Sequence, residues 1–215
     1  MKDPLIAQLG PELATIEAAF DEYVKAYANL ETLQKNSNLL PGGDQKTGVV
    51  GEYYALLFAL GTFKAASITL MPNSQKAMDI KVGQEPNPTR IQVKTISAFS
   101  KTGKISSIKE RGWELLYILH FDELFQPNGF WVVTPQDIHE SATSKHLNEV
   151  YGPRPDKPRT AGKINFHENR LEELLAGIKK GRERLRDSQE TSIKQLLELK
   201  QVPAKKKRIS KKKAL

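Results

Sequence analysis

Near the start of the chain, apolar residues recur at the spacing of a helix, with polar residues between them. Between residues 11 and 35, apolar side chains recur every three or four positions and line one stripe, which predicts an amphipathic helix. A loop is predicted over 36–44, which contains a Pro-Gly-Gly run. A second helix is predicted over 45–61, because its apolar positions share one face and Gly61 can end it. The chain therefore begins with two helices in succession.

The spacing then changes from helical to strand-like. Short alternating or β-branched runs occupy 66–71, 78–82 and 89–96, and Pro, Asn and Gly residues separate them. Two continuous apolar runs follow at 115–121 and 130–134 and are typical of buried strands. Five strands are therefore predicted in the middle of the chain.

The last part of the chain is predicted to return to helix. A Pro-Asn-Gly turn at 127–129 precedes the last strand, and a short helix is expected from Pro135 to about 140. Residues 141–167 predict a long loop, and 168–200 predict a helix that is interrupted around 177–181, where two glycines occur. This order of elements predicts an α+β or α/β fold with one central sheet flanked by helices.

Length and composition narrow the class of protein. A chain of 215 residues suffices for one domain with an arm. The absence of cysteine excludes disulfides, Cys-ligated zinc, iron–sulfur clusters and cysteine nucleophiles. No apolar run approaches ~18 residues, and the first residues lack the apolar core of a signal peptide. We therefore expect a soluble, cytoplasmic protein that does not associate with a membrane.

The net charge of +8 is concentrated near the C-terminus. Residues 1–150 contain 14 Lys/Arg and 17 Asp/Glu, residues 151–203 contain 12 and 8, and residues 204–215 contain 7 and none. A basic segment of this kind points to a polyanionic partner, with nucleic acid as the first expectation. The tail is expected to be disordered when it is free.

Two groups of basic residues are therefore candidates for contact with DNA. One lies on the last helix and the other in the tail: Lys179, Lys180, Arg182, Arg184, Arg186, Lys205, Lys206, Lys207 and Arg208. The leucines of the same helix are expected to pack on the core, although a dimerising arm remains open. The tail also resembles a nuclear import signal, which would matter only in a eukaryotic protein.

The informative chemistry lies in the two strands at 78–82 and 89–96. If they pair as a hairpin around the turn at 83–88, Val82 lies opposite Thr89 and Asp79 lies opposite Gln92. Opposed Cβ atoms in such a pair are about 5 Å apart, and Lys94 is the next neighbour on the same face. An acid, an amide and a lysine are then expected to converge, unless this is simply the solvent-facing side of a hairpin.

Such a group suits a divalent cation and a phosphate. Carboxylate and amide oxygens are hard ligands for Mg²⁺, which keeps several waters and bridges protein to phosphate. A nearby lysine can orient an attacking water while the metal neutralises charge on the phosphate. Glu52, on the flank of the apolar face of the second helix, is a candidate for a second acid beside Asp79.

The set of residues Gly51-Glu52, Asp79 and Gln92-Val93-Lys94-Thr95 resembles the PD-(D/E)XK nuclease superfamily. It is most similar to the Q-x-K branch found in Mrr-type restriction nucleases, and the resemblance covers roughly 45–140. It implies a restriction-endonuclease-like α/β fold with a mixed central sheet. It also implies metal-dependent hydrolysis of phosphodiester bonds in double-stranded DNA, in a restriction or defence system.

The resemblance assigns a role to each residue of the set. Asp79, Gln92 and the main-chain carbonyl of Val93 would bind Mg²⁺, for which Mn²⁺ can substitute. Lys94 would position the water, and Glu52 would support the metal or the water. Cleavage of a duplex by this fold usually needs two active sites, so a homodimer is also expected.

The chain departs from the better-known pattern at two positions. Met78 replaces the usual proline before the aspartate, and Gln92 replaces the usual acid before the lysine. Because glutamine contributes no charge, an inactive nuclease fold that acts as a DNA-binding subunit is the alternative. An RNA-binding or ribosome-associated protein is a weaker alternative, because it leaves the pattern from Glu52 to Lys94 unexplained.

Other sites are disfavoured by the sequence. The four histidines, His120, His139, His146 and His167, have no zinc-ligand spacing. No Walker-type glycine loop or G-x-S-x-G elbow is present. The expected division of the chain is 1–44 for the first helix and loop, 45–140 for the nuclease-like core, 141–203 for the loop and last helices, and 204–215 for the tail.

Overall fold

The fold is described by a computed structural model of the chain. It describes residues 12–36, 47–63, 67–71, 78–100, 102–105, 108–109, 111–139, 147, 150–156 and 162–201. The predicted loop at 36–44 and the basic tail therefore lie almost entirely outside the described residues.

Three helices and seven strands make up the described fold. The helices are α1 (Leu13–Asn36), α2 (Thr47–Thr62) and α3 (Leu171–Gln201). The strands are β1 (Ile68–Leu70), β2 (Ile80–Val82), β3 (Thr89–Ser97), β4 (Lys104–Ile105), β5 (Leu115–Phe121), β6 (Pro127–Val133) and β7 (Val150–Tyr151). A short 3-10 helix spans Pro135–Asp137.

The main sheet has five strands in the order β1-β2-β3-β5-β6. The central pair, β3 and β5, runs parallel, whereas the other three pairs are antiparallel. Strands β4 and β7 form a separate two-stranded sheet. The prediction of an α/β fold with one central sheet is therefore confirmed, and the sheet is mixed.

The two faces of the sheet pack against different layers. In β5, Tyr117, Leu119 and Phe121 point into a core shared with all three helices. Leu116 and Ile118 point to the opposite face, into a second core that includes residues of β4 and β7. This alternation follows from the two-residue period of a strand and explains why β5 reads as a continuous apolar run.

Helix α3 is continuous, so the predicted interruption around 177–181 is wrong. The glycines there are contact points with α2. A Cβ at Gly181 would lie 2.0 Å from the carbonyl oxygen of Leu57, and a Cβ at Gly61 would lie 2.0 Å from that of Gly177. The two helix backbones can approach this closely only because no side chains intervene.

The position of the turn before β6 also differs from the prediction. Residues 127–129 belong to β6, and the turn before it lies at Asp122–Gln126. There the Oδ1 of Asp122 accepts hydrogen bonds from the backbone N–H groups of Leu124 and Gln126, both at 2.8 Å. The turn is therefore stabilised by the aspartate at its start, and not by the Pro-Asn-Gly run from which it was predicted.

The short strands β4 and β7 were not predicted, and β7 lies within the expected loop at 141–167. Two-residue strands carry too little periodicity to be recognised from the sequence. The helix that begins at Pro135 is also shorter than expected, since it ends at Asp137.

Candidate active site on the edge of strand β3

The hairpin of β2 and β3 has the predicted register. Val82 pairs with Thr89 and Ile80 pairs with Ile91. One residue further, the backbone N–H of Asp79 donates to the carbonyl oxygen of Ile91 at 2.8 Å. Because side chains alternate along a strand, Asp79 points away from the helix-side core that buries Ile80.

Asp79 lies where β2 begins and β3 continues beyond it. Its Oδ2 atom accepts a hydrogen bond from the backbone N–H of Val93 at 2.6 Å. The carboxylate therefore pairs with a backbone N–H group of β3 that lies beyond the end of β2. This bond fixes the carboxylate beside the segment from Gln92 to Lys94.

Glu52 is brought to the same place by its neighbour in the sequence. Gly51 is buried, and a Cβ there would lie 1.9 Å from the Cγ2 atom of Thr95. Helix α2 can consequently lie directly against β3 at this point. Glu52 follows immediately and is half-buried, close enough to Asp79 and Lys94 for their charges to shift its pKa.

The electrostatics of Glu52, Asp79 and Lys94 indicate that their charges interact. Burial raises the pKa of Glu52, the negative charge of Asp79 raises it further, and Lys94 opposes both. Burial also raises the pKa of Asp79, against the Val93 N–H and Lys94. The two carboxylates and the ammonium therefore form one cluster in a partly desolvated environment.

Lys94 responds to the same environment in the opposite direction. Burial lowers its pKa, although the charges of Asp79 and Glu52 favour the ammonium form. Lys109 lowers the pKa of Lys94 further, because two cations repel each other. Desolvation dominates, so Lys94 loses its proton more readily than an exposed lysine.

Gln92 lies on the same strand but is more deeply placed. Only 2% of its surface is exposed, and its Oε1 atom accepts a hydrogen bond from the backbone N–H of Lys109 at 3.2 Å. The amide oxygen is therefore engaged with the segment that leads into β5. It can coordinate a cation only through its second lone pair.

Lys109 is a neighbour of the site that sequence reasoning missed. It lies 15 residues after Lys94 in an irregular segment with no periodic pattern. The crossover from β3 to the parallel strand β5 brings it back over Gln92. From the sequence alone, a basic residue in the segment after β3 only weakly indicates a place in the site. The topology of the sheet is needed to show that Lys109 lies beside Gln92.

The donor set at this edge suits a hard divalent cation. Glu52 and Asp79 supply carboxylates, Asp79 keeps its second oxygen outside the bond to Val93, and the oxygens of Gln92 and Val93 lie along the same strand. Among the described residues there is no group of three or more His, Cys, Asp and Glu side chains arranged to hold a metal. One or two carboxylates are typical of Mg²⁺ sites in proteins, because this ion keeps several of its water ligands.

The basic residues predicted on α3 have different environments. Arg184 donates from Nη1 to the carbonyl oxygens of Leu60 and Phe63, at 2.9 and 3.1 Å, and so closes the C-terminal end of α2. Arg182 and Arg186 both approach Glu17 of α1. The exposed side chains of Lys179 and Lys180 point to solvent. The tail residues Lys205, Lys206, Lys207 and Arg208 lie outside the described residues.

The described histidines are placed away from this cluster. Nδ1 of the buried His120 lies 2.6 Å from Oδ1 of Asn128, and Nε2 of His167 lies 2.6 Å from Oδ1 of Asp137. His139 is exposed, and His146 lies outside the described residues. Desolvation lowers the pKa of His120, which favours a neutral ring next to the amide.

Comparison with models of protein families finds none that matches this chain, and comparison with curated proteins finds no significant match. Within the part of the chain that the structure describes, no helix is long and apolar enough to cross a membrane.

Proposed function

We propose that the protein is a Mg²⁺-dependent DNA endonuclease of the PD-(D/E)XK superfamily, with a restriction-endonuclease-like fold. The observation that carries the proposal is the cluster of Glu52, Asp79 and Lys94 on the edge of β3. The three residues come from separate elements. Helix α2 approaches β3 closely at Gly51, and the register of the hairpin sets Asp79 beside β3. On a merely solvent-facing hairpin, Asp79 and Lys94 would not be partly desolvated together with a glutamate of α2.

Each residue of the cluster has a proposed role, and so do Gln92 and Val93. Asp79, Glu52, Gln92 and the Val93 carbonyl would hold Mg²⁺, or Mn²⁺ in its place, and the bound metal would supply positive charge to the phosphate and to a water. The amine of Lys94 positions the attacking water. Because burial lowers its pKa, the amine can also accept a proton from that water more readily than an exposed lysine can.

The proposed substrate is double-stranded DNA, and the proposed role is restriction or defence. The exposed lysines of α3 and the basic tail would contact phosphates, which position a duplex without reading its sequence. A homodimer would supply one cluster for each strand.

The test is cleavage of plasmid DNA with Mg²⁺ or Mn²⁺. The wild-type protein is expected to cut, and chelation of the metal is expected to stop it. Asp79→Ala and Lys94→Ala should each lower the rate by at least 100-fold, because they remove a metal ligand and the residue that positions the water. Lys25→Ala, which removes an exposed lysine on α1, serves as the matched control.

Loss of cleavage confined to the two cluster variants supports the proposal. Equal behaviour of the wild type and both variants on methylated and unmethylated DNA would refute catalysis at this site.

A second candidate is an inactive nuclease fold that acts as a DNA-binding subunit. The placement of Gln92 favours it, because this neutral amide is buried and already bonded to Lys109. This candidate predicts salt-sensitive DNA binding that is unchanged in Asp79→Ala, together with no cleavage by the wild type. A gel-shift assay without metal, run beside the plasmid assay, separates the two candidates.

A further inference from the structure

Lys109, in the segment that joins β3 to β5, has a backbone that is held by buried side chains. Its N–H donates to Oε1 of Gln92 at 3.2 Å, and its carbonyl oxygen accepts from Nε1 of Trp113 at 2.6 Å. Only 2% of Gln92 and 3% of Trp113 is exposed, and Ile108 is buried in the second core. The backbone at Lys109 is therefore fixed, although it belongs to no helix or strand.

The side chain of Lys109 has the opposite environment. It is exposed, and among the described residues it forms no ion pair with a carboxylate. Both bonds to the buried side chains use backbone atoms, so the ammonium group is not engaged by them. The fold thus fixes the position of this lysine and leaves its charge open to a ligand.

A second ammonium group lies close to Lys109. The charge of Lys109 lowers the pKa of Lys94, because the two cations repel each other. Asp79 and Glu52 favour the charged form of Lys94, but neither is within salt-bridge distance of it. Two like charges without a close counter-ion are unfavourable in the free protein. An anion bound by both lysines would relieve this repulsion.

The acid and the additional lysine reach β3 from opposite directions. Asp79 directly precedes β2, and Lys109 lies in the segment that leads into β5, and these two strands are the neighbours of β3 in the sheet. Asp79 bonds to the N–H of Val93, whereas Lys109 bonds to the side chain of Gln92. A negatively charged ligand is therefore attracted toward the Lys109 side of the site.

We propose that Lys109 binds a phosphate of the DNA strand that lies over Lys94. This inference rests on the proposed function, because it takes DNA as the polyanion at the site. The two non-bridging oxygens of a phosphodiester can accept hydrogen bonds from two lysines, and such charge-assisted bonds are stronger than neutral ones. Contacts to phosphate fix the register of a strand and carry no sequence information. Lys109 therefore positions the strand and does not read its bases.

The experiment measures binding of a labelled DNA duplex to the full chain by fluorescence anisotropy. A chelator is present, so that no strand is cut, and the titration is repeated at several KCl concentrations. Lys109→Ala should bind about 10-fold more weakly at low salt. The slope of log K against log salt should become smaller by about 0.9, which corresponds to one phosphate contact.

Lys109→Ala is suited to this test because it keeps both backbone bonds. The variant retains the N–H that donates to Gln92 and the carbonyl oxygen that accepts from Trp113. It removes only an exposed side chain, so it should fold normally. Thermal unfolding followed by circular dichroism checks this.

Two further variants separate a phosphate contact from other effects. Lys109→Arg keeps the cation and should retain the salt slope of the wild type, with an affinity within about threefold. Lys25→Ala removes the same charge from an exposed position on α1, outside the cluster, and should change the affinity by less than about twofold. If Lys109 were needed only for the fold, the salt slope would not depend on the charge at position 109.

A smaller slope in Lys109→Ala that returns in Lys109→Arg supports the inference. The inference is overturned if the wild type does not bind the duplex, or if Lys109→Ala has the affinity and salt slope of the wild type. It is also overturned if Lys25→Ala reduces both to the same extent. Because cleavage is not measured, failure of the proposed endonuclease activity in the plasmid assay is distinguishable from failure of this inference.

Discussion

At the scale of single residues, the carboxylates on the edge of β3 are held at a cost to stability. Burial raises the pKa of both Asp79 and Glu52, because each ionised form is poorly solvated there. A raised pKa in the folded state means that ionisation weakens folding. The Val93 N–H offsets part of this for Asp79. Functional sites commonly carry such destabilising groups.

The variant Asp79→Asn should therefore be more stable than the wild type at pH 7. The amide oxygen can still accept the bond from Val93, while the buried charge is removed. The unfolding temperature should rise by about 2–4 °C for each kcal/mol gained. Thermal unfolding followed by circular dichroism measures this.

The effect of Asp79→Asn on stability should depend on pH. The contribution of Asp79 to stability is complete below its unfolded pKa of about 3.8 and is lost as the pH rises through the higher folded value. The gain of Asp79→Asn should consequently shrink when the pH is lowered from 7 to 4. Glu22→Gln, at an exposed position on α1, is the matched control. If Asp79→Asn is less stable than the wild type at pH 7, the charge of Asp79 does not destabilise the folded protein.

At the scale of elements, close helix contacts determine where the site residues lie. Gly51 allows α2 to lie against β3, and Gly61, Gly177 and Gly181 allow α3 to lie against α2. Arg184 then donates to the carbonyls at the end of α2. Helix α2 is therefore fixed on two sides, and Glu52 is fixed with it.

Replacing Gly181 by Ala should destabilise the protein by about 3 kcal/mol. The added Cβ would lie 2.0 Å from the carbonyl oxygen of Leu57, so the two helices must separate. The matched control is Gly48→Ala in α2, where the added Cβ meets nothing within 4 Å. That variant should be neutral or up to about 1 kcal/mol more stable, because alanine favours helix.

Urea unfolding monitored by tryptophan fluorescence measures both variants. If Gly181→Ala unfolds at the same urea concentration as the wild type, α2 and α3 are not packed through their glycines.

At the scale of the whole molecule, charge and site occupy different parts of the chain. Removal of residues 204–215 lowers the net charge from +8 to +1, because the segment contains seven basic residues and no acid. The cluster on β3 lies in the slightly acidic first part. The proposed binding of DNA by the tail and the proposed cleavage at the cluster can therefore be tested separately by truncation.

Deletion of 204–215 should weaken DNA binding and make it less sensitive to salt. Each phosphate contact that is lost should reduce the slope of log K against log salt by about 0.9. Fluorescence anisotropy with a DNA duplex at several KCl concentrations measures both effects. A truncated chain with the slope of the full chain shows that the tail makes no phosphate contacts.

Much of the local structure could be read from the sequence, as the β2–β3 hairpin shows. Its register was predicted because the two strands are separated by only six residues and each has one apolar face. The parallel pairing of β3 with β5 could not be read in this way. It depends on a crossover whose path is set by packing between distant segments.

The sequence by itself determined the helices, the main strands, the placement of charge and the candidate residues Glu52, Asp79, Gln92 and Lys94. These follow from short-range periodicity and residue chemistry, which do not need the rest of the chain. Only the tertiary structure decided that Gln92 is buried under Lys109 and that the glycines of α3 are packing contacts. It also decided that Glu17 lies beside Arg182, 165 positions away in the sequence, because such contacts depend on how whole helices pack against each other.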